Sequence, residues 1–281
     1  MRSVVRRRTG PQPAVRPAPA AAPPAAPPAA RQRRRQRQRQ RHRRFQYVFV
    51  VTYGRSGSTL VQGLLNTLPR TLVRGENGLY LVHLYRALAD SRRFRSRHDK
   101  YRGRAPSSAF FGVRHTKERY FHRAVRGIVK DSVLGPVDPS SVDRLGFKEV
   151  QWHRVEPEEV AGFFDMMDAA FPGARYVLNT RDPEAVLKSG FWRRVDDDVA
   201  AQRVEAIKEI QQFLRETRPE RVLDVAYEAV TAADQAVQDR QLVALGEFVT
   251  GDPVPTELLE AMRATVAQPH GPNSTAAQSS T

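Results

Sequence analysis

VVTYGRSGSTLVQGLL, residues Val50–Leu65, changes its apolar period halfway along. The run QYVFVVT (46–52) is β-branched and aromatic, which suits a strand buried on both faces. Beyond the knot, Leu60, Val61, Leu64, Leu65 and Leu68 recur at helical spacing, and Pro69 ends the pattern. Between the two stand Tyr53, Gly54, Arg55, Ser56, Gly57, Ser58 and Thr59. A strand, a glycine-rich loop and a helix in this order aim backbone N–H groups and the positive end of a helix dipole at an anion. The two glycines allow close approach. Ser58 and Thr59 can cap the helix and offer hydroxyls to phosphate oxygens, and Arg55 is placed as a bidentate clamp. The alternative is a plain Gly/Ser turn capping a core helix.

A nucleotide-hydrolysing P-loop carries lysine after its second glycine, where this chain has Ser58. No apolar strand here ends in an obvious magnesium-binding aspartate. A kinase or NTPase is therefore the minor reading of the loop.

The formal net charge of +16 suggests nucleic acid until its distribution is followed. Residues 1–45 hold 14 of the 46 Lys and Arg and none of the 30 acids, leaving 32 cations against 30 anions in the remainder. The folded part lacks the electrostatic footprint of a nucleic-acid-binding domain, so nucleic acid is not a required partner. The first 45 residues are rich in Arg, Pro, Ala and Gln, and their first aromatic is Phe45. Such a tail buries too little apolar surface to offset its ordering entropy, and disorder is expected. Its alanine stretch is broken by Pro23, Pro24, Pro27 and Pro28, unlike the apolar core of a secretory signal. It reads as a neutral extension, as an organellar address, or as a polybasic arm for RNA or anionic membrane. No apolar stretch approaches the ~20 residues of a membrane span, and a cytoplasmic location is expected. The chain has no cysteine, which removes disulfides, thiolate nucleophiles and thiolate metal sites. No metal-ligand cluster suggests itself.

Further along, NGLYLVHLYRALAD (77–90) predicts an amphipathic helix, and the Arg-rich stretch 91–112 a mobile loop or lid. Helical spacing returns over 115–134, and VDRLGFKEVQW (142–152) contains a short strand. Glu156-Pro157 opens a helix that runs to Pro172-Gly173. ARYVLNT (174–180) is a strand, and Asp182-Pro183 opens the next helix as N-cap and first residue. A long amphipathic helix is expected over 196–217, a strand within 221–230, and helices near 233–249 and 255–267. Strands alternating with helices predict an α/β fold, a three-layer sandwich with a central parallel sheet. The domain is placed at 46–267, with a fraying tail over 268–281.

YVLNTRDPEAVLKSGFW (176–192) is the second informative stretch. Arg181 lies just past the carboxyl end of a strand, where open α/β sheets bind ligands, and Ser189 follows eight residues later. A guanidinium and a hydroxyl on one element suit a second phosphate; the alternative is a capped helix with a surface arginine and an incidental serine.

Together the two stretches resemble the nucleotide-sulfate-dependent sulfotransferases, particularly the bacterial-type sulfotransferase family with its P-loop NTPase-like fold. YGRSGSTL matches that family's 5′-phosphosulfate loop in the form R-S-G-S-T, and RDPEAVLKS matches its 3′-phosphate motif, R-[ND]-P-x-x-x-x-x-S. The resemblance covers about 46–250, including GFKEV and VLDVAYEAV. It implies 3′-phosphoadenosine 5′-phosphosulfate as donor, with the loop Tyr53–Thr59 on its 5′ side. Arg55, Gly57, Ser58 and Thr59 are then the principal contacts there, and Arg181 with Ser189 holds the 3′-phosphate. Two positions depart from cytosolic relatives: Leu60 stands where an adenine-stacking aromatic follows the loop, and no C-terminal R-K-G-x-x-G-x-W stretch is present.

Sulfuryl transfer depends on positioning and on stabilising charge at the leaving oxygen. Arg55 is the first candidate for that charge and Lys148 the second. Cytosolic relatives take the acceptor proton on a histidine in K-[ST]-H; this chain has Lys148-Glu149-Val150 at the comparable place. Bacterial-type relatives use a glutamate after the first helix, which assigns the base to Glu76 in RGEN. Glu149 and His83 stand in reserve, and His153 behind them. The acceptor is read only as a hydroxyl or amine of a small molecule, glycan or lipid. An adaptor using residues 1–45 to hold nucleic acid or membrane is the contrasting non-enzymatic reading.

Overall fold

The computed structural model describes residues 45–101, 105–187 and 196–270. Residues 1–44 and Ser189 lie outside these residues, whereas Phe45, expected in the tail, is buried against the core. Gln46–Val51 forms β1, the middle strand of a five-stranded, wholly parallel sheet. Its alternating residues enter two different cores. Tyr47, Phe49 and Val51 pack on one face, while Val48 and Val50 pack on the other. The unbroken apolar run therefore reflects burial on both sides, as parallel strands between helical layers require.

The other strands are β2 (Thr71–Arg74), β3 (Arg144–Glu149), β4 (Arg175–Thr180) and β5 (Val222–Ala226), in the spatial order β2-β3-β1-β4-β5. β1 pairs with β3 from Gln46↔Arg144 to Val51↔Glu149, and with β4 from Val48↔Arg175 to Val51↔Leu178. The chain thus builds the sheet on one side of β1 and then on the other. This is a topological switch point, and the loops leaving the carboxyl ends there open a crevice.

One face of the sheet is covered by α2 (Leu81–His98), α3 (Glu118–Leu134), α4 (Val160–Ala170) and α6 (Asp197–Thr217). Its core is aromatic: Tyr47 and Phe49 lie 4.6 and 5.1 Å from Phe171, and Trp152 stacks on Phe164. The opposite face is covered by α1 (Ser58–Thr67), α8 (Gln235–Thr250) and α9 (Thr256–Val266), whose core is aliphatic. Short helices α5 (Pro183–Leu187) and α7 (Tyr227–Val230) follow β4 and β5.

Several local expectations change. Gly57, at φ 81°, is the N-cap of α1 and no side chain caps that helix, so Ser58 is its first residue rather than its cap. The stretch 91–112 is not a loop throughout, because α2 continues to His98. Arg92 and Arg95 on adjacent turns both bind Glu118, at 2.6 and 2.9 Å, and Arg95 also donates to the Thr116 carbonyl. These pairs hold the helix end that an Arg-rich composition had suggested was solvated. The helix expected from residue 77 begins at Leu81, since a turn with Gly78 at φ 71° and Leu79 at φ 47° precedes it. Arg144 and Arg175 fasten the sheet to the end of α8 through the carbonyls of Val249 and Thr250.

No helix among the described residues is long and apolar enough to cross a membrane.

Candidate functional site

All five strands point the same way, so the residues that follow them collect along one edge. There a cleft of about 620 Å³ is bounded by the loop after β1 (Gly54, Arg55, Gly57), the start of α1 (Ser58, Thr59, Leu60), Glu76 after β2 and Lys148 of β3. Arg181 after β4 and Tyr227 after β5 complete this rim, and the C-terminal segment adds Val266, Gln268 and His270.

The loop after β1 is built from beneath. Thr52 Oγ1 and Ser56 Oγ lie 2.6 Å apart, and both reach the Asn179 side-chain carbonyl, at 3.2 and 2.9 Å. Asn179 in turn donates to the Val225 carbonyl, while Gln211 donates to that of Val51. Thr52, Ser56, Asn179 and Gln211 are all buried. Ser56 therefore spends its hydroxyl on holding the loop to β4 and does not present it to the cleft.

Tyr53 is buried as well and joins the two loops. Its hydroxyl donates to the Arg181 carbonyl at 2.7 Å and accepts the Arg181 N–H at 2.9 Å. Burial pushes its phenol pKa up, which keeps it a neutral donor. Arg181 Nη1 donates to the Arg55 carbonyl at 3.2 Å, closing a second link between the loops.

Arg55 has φ 70°, in the left-handed region, followed by Gly57 at 81°. A non-glycine residue there costs about 1–2 kcal/mol, a strain typical of ligand-gripping loops. Gly57 is required for a further reason: a Cβ would come within 2.1 Å of the Tyr227 ring. That ring also carries the Arg181 guanidinium, 4.3 Å from its centroid. Tyr227 thus packs against both the loop glycine and the second arginine, a role that its place in VLDVAYEAV did not reveal. At the start of α1, the N–H groups of Gly57, Ser58 and Thr59 have no protein acceptor among the described residues. Arg55 has no carboxylate partner there either. The edge thus presents unpaired N–H groups and two guanidinium groups to whatever enters the cleft.

Across the cleft, Lys148 Nζ donates to Glu76 Oε1 at 2.5 Å. The lysine side chain is 6% exposed and the glutamate 46%, so the carboxylate stands at the mouth and the ammonium at the floor. Glu149 faces the other way and is fully buried. Its Oε2 accepts the N–H groups of Asn77 and Leu79, both at 2.9 Å, and its Oε1 those of Val150 at 2.8 Å and Gln151 at 3.1 Å. It clamps the left-handed turn that follows Glu76 onto the end of β3. Its oxygens are occupied, which removes it as a reserve base.

His83 sits 2.9 Å from Arg154 Nη2 and does not line the cleft. Neither does His153, whose pKa burial pushes down. Gln268 and His270 do, although residues from 268 onward were expected to fray. Both follow α9, which packs on α1, and His270 Nε2 lies 2.7 Å from the Thr265 carbonyl. Among the described residues no group of three His, Asp or Glu side chains is placed to hold a metal ion.

The structure thus brings Arg55, Gly57, Ser58, Thr59, Glu76, Lys148 and Arg181 to one cleft, turns Tyr53 and Ser56 beneath it, and leaves Ser189 outside the described residues. No curated protein matches the chain. Among solved structures the sulfotransferase STF9 from Mycobacterium avium is similar at 15% identity and a TM-score of 0.44, over 85% of this chain and 72% of that one. The family model described as "Sulfotransferase family" matches residues 46–247, which takes in every strand and every candidate site residue but those of the C-terminal segment, and the chain belongs to that family.

Proposed function

We propose that the protein transfers a sulfuryl group from 3′-phosphoadenosine 5′-phosphosulfate to a hydroxyl or amine of a small molecule, glycan or lipid. The observation that carries this reading is the pair of arginines, Arg55 and Arg181, that enter one cleft from loops after neighbouring strands and are tied to each other. A bisphosphorylated nucleotide has two anionic ends to be gripped, and two guanidinium groups on linked loops suit it.

The free N–H groups of Gly57, Ser58 and Thr59 together with Arg55 would hold the 5′-phosphosulfate side, and Arg181 the 3′-phosphate. By the motif, Ser189 assists Arg181. The donor supplies a sulfuryl group on a phosphate leaving group. In the transfer, the acceptor oxygen or nitrogen bonds to sulfur as the sulfur–oxygen bond to phosphate breaks. Glu76, at the mouth, takes the acceptor proton. Lys148 orients that carboxylate and, with Arg55, balances negative charge growing on the leaving oxygen.

Isothermal titration with 3′-phosphoadenosine 5′-phosphate and with AMP tests the donor assignment. Clear preference for the bisphosphate is expected, lost in Arg181→Ala, and all nucleotide binding should weaken in Arg55→Ala. Equal affinity for the two nucleotides sinks the reading, and magnesium-dependent ATP turnover would replace it with a kinase or NTPase.

A further inference from the structure

The charge of residues 46–281 is segregated. Over 91–101 and 105–130, eleven Lys and Arg stand against two acids, Asp99 and Glu118, whereas residues 46–90 and 131–281 hold 28 acids against 19 Lys and Arg. Ion pairing consumes part of this excess: Arg92 and Arg95 share Glu118, and Arg93 pairs with Asp90. Arg97, Arg114, Lys117, Arg119 and Arg123 are exposed and have no carboxylate partner among the described residues.

The same region is the most apolar part of the surface. Of five exposed large hydrophobic side chains among the described residues, four lie here: Phe94 at 53%, Phe111 at 55%, Tyr120 and Ile128. The last turns of α2 bury no residue, so that helix end stands off the core. Phe94 and Phe111 line a shallow groove of about 470 Å³ between α2 and the segment before α3, and Phe110 stacks on His98 behind them. At this groove Phe94 and Phe111 lie within three to six positions of the unpaired cations Arg97, Arg114 and Lys117, which makes the end of α2 and the segment before α3 an amphipathic surface on a body that is otherwise acidic.

We propose that this face, the C-terminal end of α2 with residues 105–117, docks the protein on an anionic lipid bilayer. The cations meet the negative surface potential, and Phe94 and Phe111 enter the headgroup boundary. An RNA partner fits less well, because Ala109 and Val113 line the groove beside the two rings and offer a base neither a stacking plane nor a hydrogen bond. The inference is independent of the sulfuryl donor.

Co-sedimentation of the full chain with vesicles provides the test, comparing pure phosphatidylcholine with phosphatidylcholine containing 30% phosphatidylserine, a proportion of about one anionic lipid in three. Binding only to the anionic vesicles is expected. Arg97→Gln/Arg114→Gln/Lys117→Gln should weaken it about 100-fold, from about fivefold per cation. Phe94→Ser/Phe111→Ser, which leaves the charge unchanged, should weaken it at least about tenfold. Both variants change exposed side chains and should keep the wild-type unfolding midpoint. Wild-type binding by the triple variant overturns the proposal, since the tail of residues 1–44, identical in all three proteins, would then carry the attraction. Unchanged binding by the phenylalanine variant also overturns it, as does tighter binding to poly(U) RNA than to the vesicles.

Discussion

Replacing Glu149 by glutamine should undo the support of the turn that carries Glu76 without touching the cleft. The carboxylate accepts four backbone N–H groups, two from the turn after Glu76 and two from the end of β3, and it is fully buried. A glutamine keeps one oxygen and can serve one of these pairs, while its NH2 group faces the other pair donor to donor. Each hydrogen bond to a charged acceptor is worth about 1.5–3 kcal/mol, so losing two costs about 3–6 kcal/mol. At a urea slope of about 3 kcal/mol/M, the midpoint should fall by about 1–2 M with the slope unchanged. Amide exchange gives the local readout: the N–H groups of either Asn77 and Leu79 or Val150 and Gln151 should exchange about 100-fold faster. With the turn at Gly78 and Leu79 released, Glu76 no longer meets Lys148 in a fixed geometry, whereas nucleotide affinity, set across the cleft, should hold. A Glu149→Gln protein within about 1 kcal/mol of wild type, with all four amides still protected, would refute the clamp.

Gly57→Ala should weaken binding of 3′-phosphoadenosine 5′-phosphate at least tenfold (about 1.4 kcal/mol), since its Cβ displaces the Tyr227 ring that supports Arg181. The loss should be non-additive with Tyr227→Ala, and simple additivity in a double-mutant cycle would count against that contact. Glu76→Ala leaves the nearly buried Lys148 ammonium without its carboxylate and should destabilise by about 1–3 kcal/mol, more than Glu76→Ala/Lys148→Met does. Thermal unfolding decides this, and equal destabilisation by the single and double variants would show the pair to be energetically idle. Hydrogen bonds from Arg86, at 2.8 and 2.7 Å, hold the Glu159 carboxyl below its usual pKa near 4.5. A depressed folded-state pKa adds stability that is present above the unfolded value and fades as pH falls through the folded one. The stability difference between wild type and Glu159→Gln should thus be constant from neutral pH to about pH 5 and shrink below it; a difference that grows on acidification would contradict the pairing.

Much of the chain is legible locally. β1 is announced by the apolar run Tyr47–Val51, α1 by its period, and the loop between them by its glycines. Arg181 is legible for the same reason, as a cation set directly after a strand. β2 escapes notice because four residues after a turn show no period, and the end of α2 because its stability comes from Glu118, more than twenty positions away.

Neighbouring residues alone carry the layered α/β class and the family, because periodicity, loop composition and motif spacing are local properties. What meets in the cleft is a matter of tertiary packing. Glu76 and Lys148 are 72 positions apart and touch because β2 and β3 are neighbours in the sheet. Tyr227 reaches Gly57 and Arg181 because β5 lies beside β4, and Gln268 and His270 join because α9 packs on α1. Strand order is set by the packing of whole faces against each other. The stretch RGEN singled out Glu76 by resemblance, but that its carboxylate stands at the mouth while that of Glu149 is locked beneath follows only from this packing.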